Sequence, residues 1–336
     1  ARISGRDSYR HLALAALRPL HDLLYENGTR LACEIGLGAG IGLGSLIYAL
    51  TRLAQFLEEP ALLADAYAAA HLITPALIAD DRLLDVFVGS AGALLGLLTL
   101  YDAAPAPDLL ELAHCCAQRL LAARTPSQAN YRTWPTLAGQ HTTGFAHGAA
   151  GIVYALLRLY ARTGENALME AAQEGLQYEN CTFVSEAGNW KEMLNDSSPN
   201  LTVAWCHGAT GIGLARIGGL PMLDTPLIRR DIEAALDATL LAGSQGVDHL
   251  CCGICGRVEM VLTAAQRLER PELADKAALR AEQMLVRAEK RGAFFLNAHL
   301  PRWVGHPRLF QGMAGIGYTL LHLAQPEALP SILLWE

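Results

Sequence analysis

The chain is poor in lysine, in aromatic residues, in strand-like alternation and in long uncharged runs. Only 3 of its 26 basic residues are lysine, no basic run exceeds two residues, and the formal net charge is −7. That balance argues against general nucleic-acid binding. The uncharged apolar stretch VFVGSAGALLGLLTLY over 86–101 has 16 residues and is too short and glycine-rich for a comfortable membrane span. The amino end, ARISGRDSYR, is polar and charged, unlike a secretory signal. Eight cysteines in 336 residues fall below the density of a disulfide scaffold. With no export signal the thiols are expected to be reduced and the chain cytoplasmic. Reduced thiols serve as small hydrophobes or as metal ligands. Alternation of Val, Ile and Thr is nearly absent, apart from ENCTFVSEA at 179–187. The composition, 52% hydrophobic and 18% charged, belongs to a globular chain with a large core.

Internal repetition is the strongest signal. Six segments share a small-x-x-Gly turn that runs into an apolar helical stretch: GAGIGLGSLIYALTRLA (38–54), VGSAGALLGLLTLY (88–101), AHGAAGIVYALLRLYARTG (146–164), CHGATGIGLARIGGL (206–220), CCGICGRVEMVLTAA (251–265) and FQGMAGIGYTLLHLA (310–324). Their second glycines, Gly42, Gly92, Gly151, Gly211, Gly256 and Gly315, stand 50, 59, 60, 45 and 59 residues apart. Amphipathic stretches such as PALLADAYAAAHLITPAL (60–77) and PELADKAALRAEQMLVRAEK (271–290) lie between them. Each unit therefore pairs an amphipathic helix with a nearly all-apolar one, and a helix that is apolar all round belongs inside. A solenoid should end in polar capping repeats. The last repeat here keeps a full glycine turn, which favours a closed ring. The expected fold is all-α, an α/α toroid of six to seven helix pairs with the glycine turns at one end. Each turn is expected to start a helix whose free N–H groups point into the ring.

The residues before the turns carry the chemistry. His147 precedes the third turn, Cys206 and His207 the fourth, Cys251 and Cys252 the fifth, and Asp85 stands four residues ahead of Gly89. A ring gathers them. Thiols at helix N-termini are expected to have lowered pKa values. Cys206, Cys251 and Cys252 as three ligands to Zn²⁺ would leave a fourth position open. From the residues alone, a core histidine is the lesser alternative for His147. Cys33, Cys115, Cys116, Cys181 and Cys255 are expected to be packing residues. His11, His21, His71, His114 and His322 fall on amphipathic stretches and receive no role.

The set WCHGATGIG, CCGICG, AHGAAGI and DVFVGSAG resembles the lanthionine synthetase cyclases. YENCTFVSEAGNWKEM (178–193) and the ending GIGYTLLHLAQPEALPSILLWE resemble the C-terminal cyclase domain of the class II, bifunctional members. The resemblance implies an α/α toroid holding one zinc per chain. It implies thioether ring formation in a ribosomally made precursor peptide, whose dehydroalanine and dehydrobutyrine residues are attacked by its own cysteine thiols. It further implies a dehydratase domain ahead of this one in the same polypeptide. Cys206 and Cys251 match the first two zinc ligands. The third is usually histidine, and Cys252 in its place resembles a three-cysteine subgroup associated with substrate-tolerant synthetases. His147 matches an acid/base histidine, with His207 as the alternative proton donor, and Asp85 matches an active-site aspartate. Thr202 stands where some stand-alone cyclases carry arginine. Two rival readings remain: a prenyltransferase-like zinc toroid, and a non-catalytic peptide- or glutathione-binding toroid with structural zinc.

Overall fold

The computed structural model describes residues 2–193, 201–297 and 305–336. Thirteen helices form among them: α1 (Asp7–Ile35), α2 (Leu43–Leu57), α3 (Ala61–His71), α4 (Pro75–Asp80), α5 (Ser90–Ala103), α6 (Pro107–Ala123), α7 (Ala149–Thr163), α8 (Asn166–Cys181), α9 (Ala209–Gly219), α10 (Pro226–Leu241), α11 (Ile254–Arg267), α12 (Pro271–Arg291) and α13 (Met313–Ala324). The strands are two short antiparallel pairs, β1 (Thr125–Pro126) with β2 (Arg132–Thr133) and β3 (Phe183–Val184) with β4 (Asn189–Trp190). The strand-like stretch at 179–187 thus resolves into the end of α8 followed by the start of the β3–β4 hairpin. No helix among the described residues is long and apolar enough to cross a membrane.

The two helix types sort into two layers. Eleven of the 14 residues of α5 and twelve of the 14 in α11 are buried, so these helices meet protein on every side. In α12 the buried residues are Leu273, Ala277, Ala281, Met284 and Ala288, a single stripe of an outer helix. Proline at the first position starts α6, α10 and α12, where its missing N–H costs nothing. The inner helices α2, α5, α7, α9, α11 and α13 stand side by side in that order. Each of α3, α6, α8, α10 and α12 packs along the inner helix that precedes it in the chain. This is the α/α toroid that the repeats predict.

The glycine turns differ from expectation in two respects. The inner helices are capped at their N-termini by Gly42, Gly89, Gly148, Gly208, Gly253 and Gly312. Gly42 therefore aligns with the first glycine of the other turns, and Ser45 takes the place of the second. In the remaining five units a Cβ on the second glycine would lie 2.0–2.1 Å from the carbonyl oxygen six residues earlier, so only glycine lets the loop fold back this tightly. The first helical N–H groups are also not free. Leu43, Ala91, Ala149, Gly211, Ile254 and Met313 each donate to the carbonyl seven residues earlier, at 2.7–3.1 Å. Each loop caps its own helix, because an unpaired buried N–H would be costly.

The carboxyl end plugs the opposite side of the ring. The Thr99 hydroxyl donates to the Trp335 carbonyl (2.7 Å) and the Tyr154 hydroxyl to the Leu334 carbonyl (3.1 Å). Trp335 packs against Phe145, Trp205 and Phe310, whose rings fill the axis. Two further expectations fail. Cys33, Cys115 and Cys181 are exposed on outer helices; only Cys116 and Cys255 of the expected packing cysteines are buried. His322 lies on the inner helix α13, fully buried and 2.8 Å from Glu259, whereas His21, His71 and His114 make surface pairs with Asp65, Asp108 and Glu165.

One buried charge cluster braces the third loop. Glu179 accepts from Arg216 at 2.8 Å and from the Gly144 N–H at 3.4 Å, and Arg216 also reaches Asp231 at 3.4 Å. Burial pushes the Glu179 carboxyl up, against the pull of Arg216. Removing one partner strands the other charge. Glu179→Ala is therefore expected to cost about 3–5 kcal/mol of stability in urea unfolding; a loss below about 1 kcal/mol would show that the cluster is not a brace.

Candidate metal centre

Neighbouring loops at the mouth of the ring are tied by backbone hydrogen bonds. The Ala39 N–H donates to the Val86 carbonyl (2.9 Å), Phe87 to Ala146 (3.0 Å), Phe145 to Trp205 (3.3 Å), Cys206 to Cys251 (3.4 Å) and Cys251 to Phe310 (2.9 Å). These ties fix the register of adjacent loops, so residues at matching positions lie side by side. Cys206 and Cys251 both stand two residues before a capping glycine. Cys252 instead stands one residue before it, the position held by His147 and His207. The three cysteines are thus not equivalent in the repeat. Two neighbouring loops each direct one thiol inward, and the second adds another from its next residue.

The three sulfurs meet. Cys252 Sγ lies 3.2 Å from Cys206 Sγ and 3.3 Å from Cys251 Sγ, and all three fall within 4.8 Å of one another. Three thiolates on a tetrahedral Zn²⁺ with bonds of ~2.3 Å would sit ~3.8 Å apart. The sulfurs would need to spread by only about 0.5 Å, so the donor set suits the ion in number, chemistry and spacing. Two of the cysteines are buried, and Cys252 reaches solvent.

The thiols do not all ionise easily. Hydrogen bonds from Cys206 and Cys251 hold Cys252 down at about 3, with help from the nearby imidazoles of His249 and His207. The Cys251 thiol is pushed up, first by its hydrogen bonds with Cys206 and Cys252, then by burial. For Cys206 the bond with Cys251 pulls down, but the bond it gives to Cys252 and burial outweigh that, and it too is raised. The metal-free cluster holds one thiolate shared among three sulfurs, rather than three lowered thiols. The helix N-termini do not supply the missing stabilisation, because the loop carbonyls already occupy them. A divalent cation would displace the two remaining protons.

Of the other predicted residues, His207 shares the loop of Cys206, and His147 and Asp85 lie one and two loops away. Asp85 is fully buried, accepts from the Val88 N–H (2.8 Å) on Oδ1, and holds His147 Nδ1 at 2.9 Å on Oδ2. That contact makes Nδ1 the protonated nitrogen and leaves Nε2 as the one able to accept or return a proton. The hydroxyls of Thr136 and Thr142 both donate to the His147 carbonyl, at 2.6 and 2.7 Å, and pin its backbone. The His147 ring packs 5.2 Å from Phe87 and stacks 5.5 Å from His207. His207 Nδ1 lies 3.3 Å from the Thr143 carbonyl, and burial lowers its pKa. Asp85, His147, His207 and the thiols therefore follow one another around the mouth on successive loops.

Two neighbours went unread in the sequence. Glu192 places Oε1 3.6 Å from His207 Nδ1, and its carbonyl accepts from the Thr143 N–H at 2.9 Å. It follows β4, outside the repeats, so no periodicity marks it. His249 Nδ1 faces the Cys252 N–H at 3.4 Å, and burial lowers its pKa too. Its position before Cys251-Cys252 was the available signal. The shared thiolate yields a prediction. In the metal-free protein at pH 6, iodoacetamide should modify Cys252 well before Cys206 and Cys251, as mapped by peptide mass spectrometry. Equal, slow labelling of all three until pH 8 or above would contradict the charge distribution.

Three comparisons bear on this site. Residues 1–334 match the profile of the family described as lanthionine synthetase C-like protein. Over 188 residues, 54% of this chain, the sequence is 26% identical to the Danio rerio protein named glutathione S-transferase LANCL1. The match spans 43% of that relative's length. Among solved structures the fold is similar to nisin cyclase, with a TM-score of 0.52 and 16% identity over 96% of this chain and 98% of that one. It is also similar to a sugar epimerase from a ruminal bacterium, with a TM-score of 0.55 and 11% identity over 84% and 86% of the two chains. The toroid alone therefore names no chemistry, and the family match rests on the sequence: the chain belongs to the lanthionine synthetase C-like family.

Proposed function

We propose that the protein is a zinc-dependent peptide cyclase that closes lanthionine and methyllanthionine rings in a dehydrated precursor peptide. The observation that supports this best is the three-thiol cluster lying beside a half-buried histidine held by a buried aspartate, at the open end of a ring whose other end is plugged. Cys206, Cys251 and Cys252 would hold Zn²⁺, which when bound supplies the Lewis acidity that makes a substrate thiol available as thiolate at neutral pH. The substrate sulfur adds to Cβ of dehydroalanine or dehydrobutyrine. One C–S bond forms, the C=C π pair moves onto Cα as an enolate, and a proton must return to Cα. Atoms balance without oxidant or leaving group.

His147 is the proton donor in this reading. Asp85 orients its ring through Nδ1, which leaves Nε2 to deliver the proton. His207 is the alternative donor. Burial lowers its pKa, and it adjoins Cys206 in the chain. The same reading makes the chain the cyclase part of a longer, cytoplasmic polypeptide that also carries a dehydratase domain.

A second reading follows from the relative named glutathione S-transferase. The cluster would then take the thiol of glutathione, or serve as a structural zinc site in a binding toroid. One assay separates these readings. A dehydrated precursor peptide is incubated with the protein, treated with a thiol-alkylating reagent and weighed by mass spectrometry. Cyclase activity should remove alkylatable thiols without changing the peptide mass; full alkylation with and without the protein would refute it. His147→Ala should keep the metal and lose cyclisation by about 10²–10⁴-fold. Cys206→Ala should lose metal and activity together. A metal-free His147→Ala protein would place His147 in the wrong role.

A further inference from the structure

The residues two before each capping glycine run around the mouth as Gly40, Phe87, Ala146, Cys206, Cys251 and Phe310. The loop-to-loop hydrogen bonds keep them in register, so Phe87 and Phe310 hold the same place in their loops as two of the thiols. The two phenyl rings meet edge to face at 5.2 Å. Phe310 in turn stacks on Trp205 at 5.2 Å, with the ring planes 10° apart. On its other side Phe87 lies against the His147 ring. The pair therefore runs from the loop next to Cys251 to the side chain of His147.

Phe87 is fixed in this place from both sides. Its carbonyl accepts from the Gly40 and Ile41 N–H groups, each at 2.9 Å, and its N–H donates to the Ala146 carbonyl. A Cβ on Gly40 would lie 2.3 Å from the ring, so the first loop omits a side chain where the ring sits. Phe145, Trp205, Phe310 and Trp335 are buried, whereas Phe87 is half-buried and carries the aromatic stack to the surface of the mouth. Glycine and alanine hold the equivalent position in the first and third loops, so the loop itself does not need a ring there. The histidine and thiol groups around it are polar. Phe87 thus offers apolar surface, held rigid, beside the group that returns the proton.

We propose that Phe87 is a specificity-determining residue whose ring seats the β-methyl group of dehydrobutyrine; the inference rests on the cyclase reading. The reacting C=C has to bring Cβ to the thiol cluster and Cα within reach of His147 Nε2. The Phe87–Phe310 pair spans that interval. Dehydrobutyrine differs from dehydroalanine by one methyl group on Cβ. Against the Phe87 ring, at about 3.5–4.0 Å, that methyl leaves water and gains dispersion contact. Dehydroalanine presents only hydrogen there and gains nothing. One carbon in an apolar site is worth about 10–200-fold in kcat/KM, so the ring tilts the choice of acceptor toward dehydrobutyrine.

The test uses two dehydrated peptides of one sequence, with dehydrobutyrine or dehydroalanine at the acceptor position. Each is cyclised by the zinc-loaded protein and by its Phe87→Ala and Phe87→Leu variants, and kcat/KM is read from the loss of alkylatable thiol. The quantity compared is the ratio of the two peptides within each protein, so the intrinsic reactivity of the acceptors cancels between proteins. Phe87→Ala should lower the dehydrobutyrine-to-dehydroalanine ratio at least 10-fold, and Phe87→Leu should lower it by a smaller factor. Equal losses on both peptides would mean that the ring only packs against His147, and would overturn the proposal. A ratio that rises would mean that the ring crowds the methyl group, and overturns it equally. Should Phe87→Ala fail to fold, the Phe87→Leu ratio decides, and an unchanged value overturns the proposal. An unsubstituted protein that closes neither peptide removes the cyclase reading and this inference with it. One that closes both, with a ratio unmoved by the substitutions, removes this inference alone.

Discussion

The site depends on how closely neighbouring loops approach at the mouth of the ring. Each loop folds back on its own helix because the second glycine carries no Cβ, and each then hydrogen-bonds the next loop through the backbone. The Cys206 N–H to Cys251 carbonyl contact is the one that sets two thiols side by side. A side chain at Gly211 or Gly256 would have to push the loop away from its helix, and the sulfurs would separate. The spacing of the three sulfurs is thus a property of backbone packing as much as of residue identity.

Electrostatics then divides the mouth into two parts. The thiol cluster shares one negative charge, with His249 and His207 nearby. On the next two loops, His147 and Asp85 form a separate pair, and the stacked His147 and His207 rings join the halves. The histidines differ in partner. His147 pairs with Asp85, whereas burial lowers the pKa of His207.

Much of this was legible in the sequence. The glycine turns and all-apolar runs revealed the inner helices, and the residues ahead of the turns revealed Asp85, His147, His207 and the three cysteines. What stayed hidden depends on contacts that no period records. The capping of each helix by its own loop is a three-dimensional property, so the N–H groups looked free. Cys33, Cys115 and Cys181 lie on helices with a wet face, and composition does not say which face a single thiol takes. His322 sits on a helix whose apolar character was read correctly, but its partner Glu259 is 63 residues away. Glu192 lies outside the repeats altogether. The plug formed by Leu334 and Trp335 was unreadable because a short apolar tail has no periodicity.

The central claim is that three cysteines bind one metal and leave room for an incoming sulfur. Cobalt substitution tests it most directly, through the visible spectrum recorded with and without a small thiol. The account predicts a tetrahedral, sulfur-rich spectrum whose thiolate-to-cobalt bands shift and grow as the thiol occupies the fourth position. A spectrum unmoved by thiol would mean four protein ligands and a closed site, and would contradict the account.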